Sequence, residues 1–433
     1  MIYALAGFGI MLALMLLGVP IGFAMLAVGF VGYGLMTNFT AAAGLLSLVP
    51  FDQVAVYSMS VIPLFCLMGE FGFRSGVVAD AYTAADKWAG HHRGGLCMAT
   101  NVACAAFAAM TGSSIAGSSI MTQVAWPEMK KRNYKATIGL GCIAAGGTLG
   151  IMIPPSTPMI TYGIITNSSV GDLFLAGMLP GVMITIAFCI AVVIVTRIDK
   201  NAAPAGPKSS WKERFVSLKK VWLMLLLIVV VLGSIWGGFC TPTEAAAIGS
   251  FGTFLISIFR RTINLDIVRA CLKSSMKVTA MIFFLLIGAS VFSNFITVTK
   301  APVAIANWVA NSNIAPALVI AIMCLVYVFL GCLMDTLSMI LLTLPIFTPI
   351  VVALDYNLIW FGILVILMTM LGSITPPVGI NCFVVGGMVD DATTGEVFRG
   401  VVPFIIALIA MAALIIVFPD LVMWVPNLVN SLK

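Results

Sequence analysis

Solid apolar runs of about 20 residues recur along the chain, separated by short polar, glycine-rich or proline-rich breaks. Runs of that length match a hydrocarbon core of about 30 Å, and their continuity excludes a strand-built barrel, whose strands alternate residue by residue. In lipid every backbone polar group must find a partner within the protein, so the pattern predicts an all-α polytopic membrane protein. The chain is 61% hydrophobic and 9% charged, with a mean hydropathy of +1.14. A soluble domain carries roughly a quarter charged residues, so a soluble fold of this composition would lack a surface. The first apolar run has no basic flank and continues past Gly18-Val19-Pro20. It reads as a membrane helix and not as a cleaved leader.

The apolar pattern repeats. Pro20 and Pro242 lie 222 residues apart (242 − 20), and so do Phe107/Phe329, Pro127/Pro349 and Tyr134/Tyr356. LGIMIPPSTP (149–158) aligns with LGSITPPVGI (371–380) at that offset, and Gly177 and Pro180 match Gly400 and Pro403 one residue further on. The chain thus reads as two copies of one unit, 1–200 and 221–433, joined by a linker at 201–220, each copy with about five transmembrane helices. Segment 37–53, read as a loop, has no Lys or Arg, whereas its counterpart carries Arg260, Arg261, Arg269, Lys273 and Lys277. Conversely, Lys130, Lys131, Arg132 and Lys135 follow Pro127, and no basic residue follows Pro349 in IVVALDYN. By the positive-inside rule equivalent loops lie on opposite sides, so the copies are expected to be inverted, with a cytoplasmic linker and both termini outside.

Each copy has two helix interruptions. TGSSIAGSS (111–119) lies between basic flanks, HHRGG (91–95) and MKKRNYK (129–135), which predicts a re-entrant hairpin over about 95–127 with a polar tip. Its counterpart spans about 314–349, with Asp335-Thr336-Leu337-Ser338 at the tip. The second interruption is a Pro-Pro pair, Pro154-Pro155 within a broken helix at 136–167 and Pro376-Pro377 within 358–391. Proline removes backbone donors and frees carbonyls four residues upstream. Freed carbonyls and hydroxyls are neutral oxygen ligands for an alkali cation, and half-helix N-termini favour an anion. The candidate sodium ligands are Thr111, Gly112, Ser113, Ser114, Gly150, Ile153 and Ser156 in one copy. In the other they are Asp335, Thr336, Ser338, Gly372, Thr375 and Gly379. Two equivalent sites imply at least two sodium ions. Small and hydroxyl residues also serve helix packing, and Pro also serves kinks, so either break alone would carry little.

Three acids lie within apolar runs: Glu70, Glu244 and Asp335. Buried carboxylates are costly in a membrane and point to function by default, Asp335 most of all. Glu70 has Arg74 one turn away, which leaves an interfacial ion pair equally open. Glu244 follows Thr241-Pro242-Thr243 and reads as a helix-start carboxylate. The net charge of +6 falls in short loops, a membrane-flank distribution and not a nucleic-acid surface. The ten cysteines show no CxxC spacing and read as small hydrophobes. His91 and His92 sit beside Arg93 and read as interfacial.

PLFCLMGE (63–70), the Gly/Ser hairpin, IPPSTPMITYG (153–163), FLAGMLPG (174–181), TPTEAAAIG (241–249) and ITPPVGIN (374–381) follow one another in an order that resembles the large membrane subunit of tripartite ATP-independent periplasmic (TRAP) transporters. The resemblance runs over nearly the whole chain. It implies a member of the ion-transporter superfamily in a bacterial inner membrane, moving its substrate by an elevator mechanism on a sodium gradient. It implies two partners, a small four-helix membrane subunit and a periplasmic binding protein that delivers a small carboxylate such as a C4-dicarboxylate or sialic acid. Because the chain starts at its own first helix, the small subunit is expected to be a separate polypeptide. The family's sodium sites, at hairpin tips and Pro-interrupted helices, fall on the positions above; no hairpin tip here offers an arginine for the substrate. Three rivals stand beside this reading. An intramembrane serine enzyme lacks a base near Gly112-Ser113-Ser114, since both histidines lie in one flank. A channel fits two opposed hairpins less well than alternating access does. A stand-alone symporter of the same superfamily is opposed only by the motifs.

Overall fold

The computed structural model describes the backbone of residues 2–312 and 314–431, and the side chains of these except Ala109 and Asn430. Among the described residues every regular element is helical. The chain opens with α1 (Ile2–Leu16) and α2 (Ile21–Met36), parted at Gly18 and Pro20. Segment 37–53 is not the loop that its lack of charge suggested. Asn38 accepts the Ala41 N–H at 2.6 Å and caps α3 (Phe39–Val54). A turn at Tyr57–Ser60 then bends the chain by 60° into α4 (Val61–Arg74). The amphipathic α5 (Val77–Ala89) leads to α6 (Gly95–Thr111) and α7 (Ser114–Lys131), a helical hairpin that runs four residues past the expected end. The broken helix follows as α8 (Ala136–Met152) and α9 (Thr157–Thr166), and then α10 (Val170–Ile198).

The second half begins at α11 (Trp211–Trp236), so residues 211–220 of the expected linker are helical and the irregular connection is 199–210. Ser210 and Glu213 form a reciprocal cap at its start. Thr241 and Glu244 do the same for α12 (Pro242–Phe259), the structural role read for Glu244. Next come α13 (Leu265–Val298), α14 (Ala301–Asn311), the hairpin α15 (Pro316–Gly331) and α16 (Thr336–Ala353), and the broken helix α17 (Leu358–Ile374) and α18 (Ile380–Gly387). α19 (Thr394–Val417) and α20 (Asp420–Ser431) close the chain. α16 starts and stops 222 residues after α7 (336 − 114 and 353 − 131), and α17 bears the same relation to α8. The halves also differ: α13 is a single helix where α3 and α4 are bent, and α20 falls where the first half has the irregular connection.

Two kinds of surface follow from the sequence. α8 and α17 are buried along nearly their whole length, because α6, α7 and α19 surround the one and α15, α16 and α19 the other. α10 instead leaves Val182, Ile186, Ile190 and Ile194 about half exposed at four-residue spacing. Such a stripe is costly in water and natural against lipid. Among the described residues seven helical segments, α8 and α9 taken as one, are long and apolar enough to cross a membrane, eight if the bent pair counts as one span, alongside shorter apolar helices such as Ile21–Met36. A frame of α2, α3, α4 and α11–α13 packs beside the hairpins and broken helices.

The polar connections gather at one end of this bundle. Residues 199–206 lie against the base of the first hairpin, with Gly94 N–H donating to Ala203 O at 3.0 Å and Lys135 N–H to Ala202 O at 2.9 Å. Lys135 Nζ meets Asp199 at 2.5 Å, and Arg132 grips Asp86 through two hydrogen bonds of 3.0 and 2.7 Å. At the same end Lys130 pairs with Asp391 at 2.5 Å, joining the first hairpin to the segment after α18, and Arg260 pairs with Asp80. Lys130 holds the Asp391 carboxyl below its ordinary range. With the folded value depressed, that contribution is present at neutral pH and is lost as acid protonates Asp391.

Candidate functional site

The first hairpin turns within two residues. α6 ends at Thr111, Gly112 adopts a left-handed φ of +58°, and Ser113 caps α7 by accepting the Ala116 N–H at 3.4 Å. A side chain at Gly112 would be strained by that φ and would press on the α8–α9 break, 3.0 Å from Pro155 O. At that break Ile153 ends α8, Pro154-Pro155 follows in the cis form, and Ser156 caps α9. Ser156 Oγ donates to Ile151 O at 2.6 Å, so its hydroxyl is engaged within the break. Gly150 lies directly against the tip: a Cβ there would stand 2.7 Å from Ser113 O. The hairpin tip and the broken helix are therefore in backbone contact.

The second copy repeats the arrangement with other side chains. Asp335 caps α16, its Oδ2 accepting Leu337 N–H at 3.1 Å and Ser338 N–H at 3.2 Å, while Ser338 Oγ donates to Oδ1 at 2.5 Å. Thr375 ends α17 with its hydroxyl donating to Leu371 O at 2.6 Å, and Gly379, at φ +53°, precedes α18. A Cβ on Gly372 would lie 2.6 Å from Gly331 Cα, so here too hairpin and broken helix meet at backbone distance.

Both tips open onto one cavity of about 520 Å³. Thr111, Gly112, Ser113 and Ser114 line it from the first tip, and Asp335 and Thr336 from the second. The remaining candidates, Gly150, Ile153, Ser156, Ser338, Gly372, Thr375 and Gly379, are outside the cavity lining and belong to the caps and close contacts just described. The structure also brings in residues that the motif reading left out of the site: Thr157, Ser275, Ser373 and Asn381. Asn381 is fully buried with its Oδ1 unpartnered among the described residues, as is Ser275 Oγ. The signal for Asn381 was present, a polar residue four positions after a Pro-Pro break in an apolar run. Glu70 pairs with Arg74 at 3.5 Å, as one of its two readings had it, and also lines the cavity while accepting Ser274 Oγ at 2.5 Å.

Four helices, α7, α9, α16 and α18, begin at this cavity, and their first residues Ser114, Thr157, Thr336 and Ile380 line it. Each turns the positive end of its dipole toward this space, although the caps Ser113, Ser156 and Asp335 already accept one or two first-turn N–H groups of α7, α9 and α16. The carbonyl-rich ends of α6 and α17 reach the same space at Thr111 and Ser373. No Lys, Arg or His is among its lining residues. The site can thus present hydroxyls and N–H groups to an anion, and carbonyl and carboxylate oxygens to a cation, within one volume.

A polytopic helical bundle with paired helix breaks around a central cavity belongs among membrane transporters. The fold is similar to that of the Alcanivorax borkumensis YdaH transporter, with a TM-score of 0.65 over 96% of this chain and 98% of that one at 13% identity. Residues 8–421 match the family described as the tripartite ATP-independent periplasmic transporter, DctM component. The chain is 34% identical to the C4-dicarboxylate TRAP transporter large permease protein DctM of Pseudomonas aeruginosa, over 87% of this chain and 88% of the relative. It is 30% identical to the sialic acid TRAP transporter large permease protein SiaM of Vibrio cholerae, over 96% and 97%. The chain belongs to the TRAP large-permease family: it is a multi-pass inner-membrane transporter subunit and not an enzyme.

Proposed function

We propose that this permease carries out sodium-coupled uptake of a small carboxylate, delivered by a periplasmic binding protein and moved with the help of a small four-helix membrane subunit. The observation that carries the reading is the meeting of both hairpin tips and four helix N-termini at one cavity. Neutral oxygens at the tips replace part of a sodium ion's hydration shell, and the helix N-termini offset the carboxylate's charge. Relatives named for C4-dicarboxylate and for sialic acid support a carboxylate substrate. The two halves act as inverted repeats, and the hairpins with their broken helices travel against the frame as an elevator.

Dependence on partners tests the reading. Proteoliposomes holding this subunit with its small subunit should take up substrate only when binding protein and an inward sodium gradient are both supplied. The large subunit alone should give background uptake. Full uptake without the partners would assign a stand-alone symporter, and uptake indifferent to sodium would remove the coupling.

Topology gives a second test. The linker and the basic hairpin base share one end of the bundle, and the positive-inside rule puts that end in the cytoplasm. In right-side-out vesicles a cysteine at Thr40 should react with an impermeant thiol reagent, and one at Ala205 should react only after permeabilisation; both positions are exposed. Equal labelling of the two from one side would remove the inverted arrangement.

A further inference from the structure

Away from the cavity, the start of α11 carries a second arrangement of charge and aromatic surface. The Arg214 guanidinium lies 5.0 Å from the centroid of the Trp211 ring and 6.0 Å from that of Trp88. Its Nη2 stands 3.4 Å from His91 Nδ1, and the His91 and His92 rings are 3.9 Å apart. Arg214 Nε is buried with no hydrogen-bond partner among the described residues. Lys208 adds positive charge within electrostatic reach, and desolvation together with His92, Arg214 and Lys208 holds His91 below its usual range. The neighbouring acid, Glu213, is already shared between Lys87 at 3.8 Å and the Ser210 N–H at 3.2 Å. The corner therefore carries uncompensated positive charge. Beside it Trp211 and Phe215 are more than half exposed, and Trp88 over a third. None of these residues lines the central cavity.

Cations set beside exposed aromatic rings, where a membrane helix begins, have the chemistry of a lipid headgroup boundary. We propose that this corner is a binding site for an anionic phospholipid, with Arg214, Lys208 and the histidine pair on the phosphate. The Trp211, Phe215 and Trp88 rings lie along its glycerol and upper acyl chains. A free phosphate ion would satisfy the charges alone and would leave the rings unexplained. The ligand would also fasten α5 and α11, which pack together here, to the membrane surface.

The test is lipid retention by the purified membrane complex, this subunit with its small subunit, measured by native mass spectrometry after delipidation. Phosphatidylglycerol is titrated back, with phosphatidylcholine and inorganic phosphate as separate arms. Arg214→Gln should weaken phosphatidylglycerol binding by on the order of tenfold, Arg214→Lys less so because the charge remains. Lys208→Gln, on the exposed connection, should cost roughly fivefold and provides a reading if Arg214 variants fail to fold. Phosphatidylcholine should bind weakly to all of these proteins, and millimolar inorganic phosphate should not displace phosphatidylglycerol. Equal retention by the wild type, Arg214→Gln and Lys208→Gln would overturn the site, as it would if the small subunit covered this face. Displacement by inorganic phosphate would overturn the lipid assignment.

Discussion

Asp335→Asn is expected to raise the sodium concentration for half-maximal uptake by about tenfold to a hundredfold, while leaving expression and membrane insertion intact. The size follows from losing a charged ligand, worth roughly 1.5–3 kcal/mol in hydrogen-bond-scale contacts to a charge. The substitution is informative because Asp335 also holds the helix start, where its Oδ2 accepts two N–H groups and caps α16. Asparagine caps a helix about as well as aspartate does. If capping were the whole role, Asp335→Asn would keep wild-type sodium dependence and only Asp335→Ala would suffer, through stability. If the carboxylate also meets the cation, asparagine moves the sodium curve without moving the melting temperature. The measurement is uptake against sodium concentration in proteoliposomes holding the full complex, beside a thermal unfolding curve for each variant. An unshifted sodium curve with a normal melting temperature would reduce Asp335 to a cap.

Much of this site could be read from the sequence because its parts are local. Gly112 at a left-handed turn, Ser113 and Asp335 at helix starts, and the Pro-Pro breaks are short-range features that residue type reports directly. The 222-residue spacing was legible for a similar reason: prolines and glycines that break helices recur at that offset, and the bounds of α7 and α16 and of α8 and α17 follow it. What the sequence withheld is which polar atoms share a volume. Asn381 is marked locally by the Pro-Pro break before it, but that it shares a volume with the first tip follows from α18 packing against α7, and that Ser373 does so follows from α17 lying between its own hairpin and α8. Glu70 was ambiguous because an ion pair one turn away and a cavity position are compatible on the same helix face. Segment 37–53 misled for another reason. An absence of charge bears at most on which side a segment faces and says nothing of whether its backbone is helical, and Asn38 supplies the cap that makes it so.

The backbone contact between tip and broken helix makes Gly150→Ala the sharper probe of the site. The new methyl would lie 2.7 Å from Ser113 O and 3.0 Å from Ser113 C. Both are main-chain atoms, so no side-chain rotation relieves the clash, and either α8 or the hairpin tip must move. Overpacking of this kind costs about 1–3 kcal/mol. Here the strain falls on the residue that caps α7 and stands beside Ser114 in the cavity wall. Displacing those oxygens from the cation should therefore weaken sodium binding by about tenfold to a hundredfold, in proportion to the strain. Gly372→Ala should act likewise in the other copy, where the methyl meets Gly331 Cα at 2.6 Å. Gly44→Ala, on α3 with nothing within 4 Å of its Cβ, should leave transport unchanged and serves as the control. Sodium dependence of uptake and the melting temperature are measured together. Were Gly150→Ala to destabilise the protein yet keep the wild-type sodium curve, the tip would be a packing joint, and the cation would have to lie elsewhere in the cavity.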